Sequence, residues 1–274
     1  MTITTAIIVS HDSQKHLRKA VDNLLSATVT PERIVIVDSG SKDITYLTQF
    51  QGEPRVRVIL EDGDVGFCRG NNIGMQHIAE GSDYILFINP DAFATENFLS
   101  EATSFMEKND NVGALTPSLL GYDIDTNKPT GLYDSTGIFR RWYGQWFDRD
   151  QGLPVTKKHT DIEAIPAICG ALMFCRKSAL DQVLINDEVF DSRFYMYKED
   201  VDLSQRLTKK GWMLAFLPHL NVYHCRGWAT NRKLMPKKFR LASARNDLRV
   251  NRGLGPIGVT YSAFKYLAVL LFNI

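Results

Sequence analysis

Five short apolar runs alternate with helix-like stretches over the first 117 residues, and no other feature constrains the fold as much. The runs are TTAIIVS, RIVIVDSGS, VRVIL, YILFI and VGALTP. Between them lie HLRKAVDNLLSA, with Leu17, Val21, Leu24 and Leu25 on one helical face, then DITYLTQF, GNNIGMQHIAEG and ENFLSEATSFMEKN. Strands separated by short helices predict a parallel or mostly parallel sheet covered by helices. Such sheets bind ligands beyond the C-terminal ends of their strands. Ser10, Asp38, Asp62 and Asp91 all fall at or just past such ends, a pattern suited to a nucleotide-type pocket.

The rhythm breaks after Ser118. Residues 118–165 are rich in turn dipeptides and aromatics and predict hairpins and loops that can cover a cleft. Trp142, Tyr143, Trp146 and Phe147 there either pack a small subdomain, stack on a sugar ring or mark an oligomer contact. ICGALMFCRKSAL then predicts a strand running into a helix. A further helix starts near Glu199, with Leu203 and Leu207 inward and acids in its first turn, where the helix dipole favours them. WMLAFLP and LNVYHC predict closing strands.

The formal net charge of +1 singles out no partner, but its distribution is uneven. From Arg226 to Arg252 the chain is basic, with Asp247 the only acid, and a strongly apolar run follows. That run is too short and interrupted to predict a membrane span. It either lies on an anionic inner leaflet beside the basic stretch or packs as a helix on the catalytic domain or a partner subunit. No nucleic-acid recognition motif accompanies the charge. Cys68, Cys169, Cys175 and Cys225 form no CxxC pair, which fits a reducing compartment. The start, MTITTAIIVS, reads as a strand and not as a signal peptide.

The acids suggest the chemistry. Asp91 ends a strand, Glu199 and Asp200 open a helix, and His224 sits in the last strand-like segment. Oxygen-rich sites hold Mg²⁺ or Mn²⁺ and bridge it to phosphates, so Asp91 and His224 form a candidate metal pair. GxxxxGK[ST], an early GxGxxG and GxSxG are all absent, which argues against P-loop, dinucleotide and serine-hydrolase chemistry.

In order, VIVDSGSKD, DVGFCRGNNIG, YILFINPDAF, ICGALMFCRKSAL, FDSRFYMYKEDVDLSQRLTKKGW and VYHCRG resemble inverting glycosyltransferase family 2, in particular its rhamnosyltransferase-like branch. The resemblance covers roughly residues 3–228. It implies an α/β GT-A fold with a Rossmann-like mixed sheet, a small hairpin region and a helical tail. It implies a nucleotide-sugar half over 1–117, an acceptor and catalytic half over 118–228 and a tail over 229–274. It places Val9 and Ser10 beside the base and ribose, Asp38 and Ser41 on the nucleoside, and Asp64 and Asn72 near the nucleotide. Asp91 matches the last acid of the family's DxD metal motif, with Asn89 in the first position. Asn is neutral, so the dependence on Mn²⁺ or Mg²⁺ is open. Asp200 matches the general base, Glu199 stands beside it, and His224 matches a histidine that completes the metal site. Gly170 and Ala171 match the segment under the donor sugar. Arg226 or Arg232 is expected to assist the leaving diphosphate. Trp142, Trp146 and Asp134 are expected at the sugar or the acceptor.

The implied reaction moves a sugar, rhamnose from dTDP-rhamnose by the branch, to a glycan or lipid-linked glycan. UDP- and GDP-sugars remain alternative donors. The implied location is the cytoplasm, peripheral on the inner face of a bacterial plasma membrane, with homo-oligomers allowed. A sugar-nucleotide-binding protein without catalysis is the competing class, and retention of Asp91, Asp200 and His224 argues against it. A nucleotidylyltransferase would need a glycine-rich loop after the first strand, where the chain reads SHDSQKHLRKA. A purely structural subunit would not need the ordered acids.

Overall fold

The computed structural model describes residues 2–156, 159–226 and 236–272. The expected alternation is present: β1 (Thr4–Ser10), α1 (Leu17–Leu25), β2 (Arg33–Ser39), a 3-10 turn (Thr45–Phe50), β3 (Val56–Glu61), α2 (Gly66–Met75) and β4 (Tyr84–Ile88). Then come β5 (Ala92–Ala94), α3 (Phe98–Lys108), β6 (Val112–Asp123), β7 (Lys128–Ser135), β8 (Ile138–Arg140), β9 (Trp146–Asp148) and β10 (Glu163–Ala164). The chain continues through β11 (Leu172–Arg176), α4 (Lys177–Asp181), α5 (Glu199–Lys209), β12 (Met213–His224), α6 (Lys237–Asn251) and α7 (Pro256–Phe272).

The main path of the large sheet runs β10-β12-β6-β11-β4-β1-β2-β3. β4, β1, β2 and β3 are parallel neighbours, so their C-terminal ends share one edge. β11 lies antiparallel between β4 and β6, which makes the sheet mixed. β1, β2 and β4 are buried on both faces, as parallel strands under helices must be, whereas β3 at the edge of the sheet is only half-buried and exposes Leu60. Phe87, Phe98, Phe174, Phe190 and Phe216 are among the largest fully buried side chains.

Several elements differ from the sequence reading. α2 begins at Gly66, four residues before Gly70, and ends at Met75. Gly66 has φ +75°, and a Cβ there would meet the Tyr195 ring at 2.5 Å, so the helix starts where only glycine fits. WMLAFLP and LNVYHC form one strand, β12, with a register shift between Leu217 and Asn221 around Pro218. The expected boundary at 117/118 falls inside β6, so both halves share a strand. β5 is three residues long, and its register pairs Ala92 with His224.

α6 and α7 form a helical hairpin on the domain. Among the described residues, no helix is long and apolar enough to cross a membrane.

Candidate functional site

The fold delivers Asp91 and His224 to one point. Because β5 pairs with the end of β12, Asp91, one residue before β5, lies beside His224. The Cys225 N–H donates to the Asp91 carbonyl at 3.0 Å. His224 Nε2 is 3.2 Å from Asp91 Oδ1, and its Nδ1 donates to Asp134 Oδ2 at 2.8 Å. Burial alone would lower the His224 pKa, but Asp91 and Asp134 outweigh it and push it up to about 10. Asp91 is likewise raised by burial and lowered more by His224, and it ends below its ordinary value. Asp134, expected at the sugar or acceptor, is buried and pairs with His224 and Arg226.

A second junction assembles the acid pair. β11 pairs with β4, which sets Asn89 against the loop that precedes β11, and the Asn89 N–H donates to the Ala171 carbonyl at 3.0 Å. That loop is fastened to α5: the Ile168 N–H donates to Ser204 Oγ at 3.1 Å, and Gly170 N–H donates to Asp200 Oδ2 at 3.0 Å. Asp200 Oδ1 accepts the Val201 N–H at 2.8 Å. Each carboxylate oxygen therefore holds one backbone donor and keeps capacity for a further proton or hydrogen bond. Burial raises the Asp200 pKa against the opposing pull of Lys198 and these two N–H groups.

Glu199 is 7% exposed, and its Oε2 has no hydrogen-bond partner. Burial, then the neighbouring Asp200, pushes its pKa up to about 8. The two residues before it, Tyr197 and Lys198, both have left-handed backbone, φ 69° and 71°. Such non-glycine geometry costs on the order of 1–3 kcal/mol per residue and needs support from outside. Asn246 of α6 supplies it, donating from Nδ2 to the carbonyls of Met196 and Tyr197 at 3.0 and 2.8 Å.

Both junctions open on one cavity of about 280 Å³. Asn89, Gly170, Ala171, Glu199, Asp200 and His224 all line it. Arg226 and Asp148 also line it, paired at 2.8 Å, and Asp148 Oδ1 has no hydrogen-bond partner. Sequence reasoning named Arg226 but missed Asp148, which sits in a three-residue strand with no local signal. Ser243 of α6 reaches the same cavity. Arg232 lies outside the described residues.

The nucleoside residues form a separate cluster at the shared strand edge. Asp38 accepts the Ser41 N–H at 2.9 Å and the Ser41 hydroxyl at 2.5 Å. Tyr46, which the sequence did not single out, donates to Asp38 at 3.0 Å and bonds the Ser10 hydroxyl at 2.7 Å. Val9 packs against α2, where a Cβ on Gly70 would meet its methyl at 2.7 Å. Asp64 accepts the Gly66 N–H at 3.2 Å and is bonded by the Tyr195 hydroxyl. Asp62 is exposed.

Two residues expected at the site are tied into the fold. Asn72 donates to the Phe190 carbonyl at 2.8 Å and accepts the Phe190 N–H at 2.9 Å, so its amide clamps the segment before α5. It is buried, with both ends of the amide engaged. Trp146 is buried and donates to Asn251 Oδ1 at 3.0 Å, tying the hairpin region to α6. Trp142 is 80% exposed.

Asp91 and His224 fit a hard divalent ion. They are adjacent oxygen and imidazole donors, and Asp134 on the far ring nitrogen is the carboxylate partner that orients metal-binding histidines. Among the described residues no group of three or more His, Cys, Asp or Glu could hold a metal ion. Two protein donors with phosphate oxygens completing the shell is the arrangement such residues suit.

Residues 5–184, more than half of the chain, match the family described as Glycosyl transferase family 2. An N-acetylglucosaminyl-diphospho-decaprenol L-rhamnosyltransferase of Mycobacterium tuberculosis is 25% identical over 247 residues, covering 84% of this chain and 78% of that protein. Rhamnosyltransferase WbbL of Escherichia coli is 26% identical over 250 residues, covering 85% of this chain and 87% of that protein. Among solved structures, GalNAc-T7 with UDP, GalNAc and Mn²⁺ superposes with TM-score 0.69 at 16% identity, covering 92% of this chain but only 48% of the other. The mannosyltransferase PcManGT of Pyrobaculum calidifontis, with GDP-Man and Mn²⁺, gives TM-score 0.60 at 14% identity, covering 98% and 70%. At those identities the two structures show the shared fold.

Proposed function

The chain belongs to glycosyl transferase family 2 and has the GT-A fold, and on that premise we propose that it performs an inverting sugar transfer from a nucleoside diphosphate sugar. The donor is dTDP-rhamnose, and the acceptor is a hydroxyl of a growing or lipid-linked glycan. Both relatives above are named rhamnosyltransferases, which supports that donor. The reaction takes place in the cytoplasm, at the inner face of a bacterial plasma membrane.

One observation carries the reading: a single cavity is lined by Asp200, with both oxygens oriented by backbone N–H groups, and by Asn89 and His224. Asp200 takes the acceptor proton as that oxygen forms its bond to the anomeric carbon. The bond from that carbon to the diphosphate oxygen breaks with its electron pair. Attack and departure on opposite faces invert the centre. Burial raises the proton affinity of Asp200, which suits a base working near neutral pH. Glu199, protonated through most of that range, positions the acceptor without adding a second negative charge. Gly170 and Ala171 let the backbone run close beneath the donor sugar.

Asp91 and His224 would hold Mn²⁺ or Mg²⁺. When bound, that ion supplies positive charge for the developing diphosphate. Arg226, held by Asp134 and Asp148, adds a fixed cation on the same side. Asp38, Ser41 and Ser10 hold the nucleoside end, with Val9 and Asp64 flanking it, and Tyr46 fixes their geometry.

Incubation of the purified protein with dTDP-, UDP- and GDP-sugars, Mn²⁺ or Mg²⁺ and a polyprenyl-diphosphate-linked glycan tests this. Release of dTDP coupled to an inverted glycosidic bond is the expected result. Coupled release of UDP or GDP would reassign the donor. Binding without turnover on any donor would leave a sugar-nucleotide-binding protein and sink the enzymatic reading.

A further inference from the structure

α7 is mostly apolar, with Lys265 its one charged residue, yet much of it lies on the surface. Its packed side carries the smaller residues. Gly258 lies against Gly144 and Asn251, the Ser262 hydroxyl accepts from Asn251 Nδ2 at 2.8 Å, and Lys265 pairs with Asp247. Its outer side carries the large ones. Ile257, Phe264, Leu267 and Leu271 are 56%, 69%, 47% and 66% exposed. Their spacings of seven, three and four residues put them on one stripe. The stripe contributes nothing to the core of this chain.

Charge indicates what covers it. Lys237 and Lys238 open α6 and are exposed, and Lys237 Nζ donates to the Leu270 carbonyl at 2.9 Å. That bond sets a cationic cluster beside the apolar end of α7. Arg245 and Arg252 are exposed as well. Asp247, the only acid between Arg226 and Arg252, is buried against Lys265 and offsets none of these exposed cations. A second copy seated on the stripe would bring two basic helices together. An anionic lipid surface takes both features at once, with acyl chains around the stripe and headgroup phosphates on the cations.

We infer that α7 lies in the headgroup layer of an anionic bilayer, with Ile257, Phe264, Leu267 and Leu271 in the acyl boundary and Lys237 and Lys238 on the lipid phosphates. Ser243 of α6 lines the cavity and α7 packs on α6. α6 therefore links the cavity to the proposed membrane face. This purpose rests on the lipid-linked acceptor proposed above, whereas the surface itself rests on α6 and α7 alone.

Sedimentation of the full chain with vesicles, without donor or acceptor, tests the surface separately from the chemistry. Vesicles of phosphatidylcholine with phosphatidylglycerol are expected to bind the chain, and phosphatidylcholine alone is not. Salt should weaken that binding. Lys237→Gln with Lys238→Gln is expected to lower partitioning roughly 25-fold, about fivefold for each charge lost near the surface. Phe264→Ser with Leu267→Ser is expected to lower it by about tenfold or more. Unchanged far-ultraviolet circular dichroism and nucleotide binding show that the variants are folded. Equal binding to both vesicle types overturns the inference. So does a dimer in sedimentation velocity that the Phe264→Ser, Leu267→Ser variant abolishes. A wrong donor assignment would leave every vesicle result unchanged.

Discussion

Gly170 donates its backbone N–H to the carboxylate of Asp200 at 3.0 Å, and a Cβ on Gly170 would stand 3.2 Å from the same oxygen. The loop after Ala167 thus touches the proposed base with nothing in between. Gly170→Ala should push Asp200 by a few tenths of an ångström or more. A displacement of that order lowers kcat by about three- to tenfold. Steady-state kinetics beside a melting curve checks this. A change in Tm with unchanged kcat would show that the contact is only structural.

Glu199 makes stability depend on pH in a defined direction. Its ordinary value is 4.5, and in the folded chain it is pushed up to about 8. Between those limits the native state keeps a proton that the unfolded chain has released. Stability contributed at low pH is therefore lost as pH rises through this window, and the loss levels off above it. Glu199→Gln should flatten the profile and be the more stable form at the alkaline end, by on the order of a few kcal/mol. Denaturant midpoints of both proteins across that range decide it, and parallel profiles would contradict the assignment.

Asn246 belongs to the tail in sequence and to the site in space. Asn246→Ala removes two hydrogen bonds to the left-handed segment ahead of Glu199 and should cost about 1–3 kcal/mol of stability. It should also lower kcat by about tenfold or more, with KM for the donor within about twofold. Equal effects on kcat/KM through KM alone would assign Asn246 to donor binding.

Asp91→Asn keeps the shape of the turn and removes its charge. Calorimetric binding of the nucleoside diphosphate should weaken by about tenfold or more in Mn²⁺ and change little in chelator. Equal affinity of the two proteins in Mn²⁺ would remove Asp91 from the metal site.

The sheet was legible because parallel strands buried on both faces read as apolar runs, and their polar ends mark the ligand edge. Asp91, Asp200 and His224 were legible through blocks around them, and the cavity gathers Asp200 and His224 with Asn89. What stayed hidden depends on distant pairing. β5 is too short to carry a periodic signal, yet its register brings Asp91 to His224. Asn72 looks like any polar residue of a glycine-rich helix, and only the fold reveals Phe190 as its partner, 118 residues on. Tyr46 lies in a 3-10 turn whose sequence gives no reason to expect its bonds to Asp38 and Ser10. The tail read as an appendage because nothing local announces Asn246 under the Tyr197 carbonyl.

The central claim is that Asp200 removes the acceptor proton. Asp200→Asn preserves size and leaves the Gly170 and Val201 donors an amide oxygen to meet. With the donor and acceptor identified, single-turnover transfer by this variant should fall by about 10²- to 10⁴-fold while donor affinity stays near the wild-type value. Transfer at the wild-type rate would contradict the account.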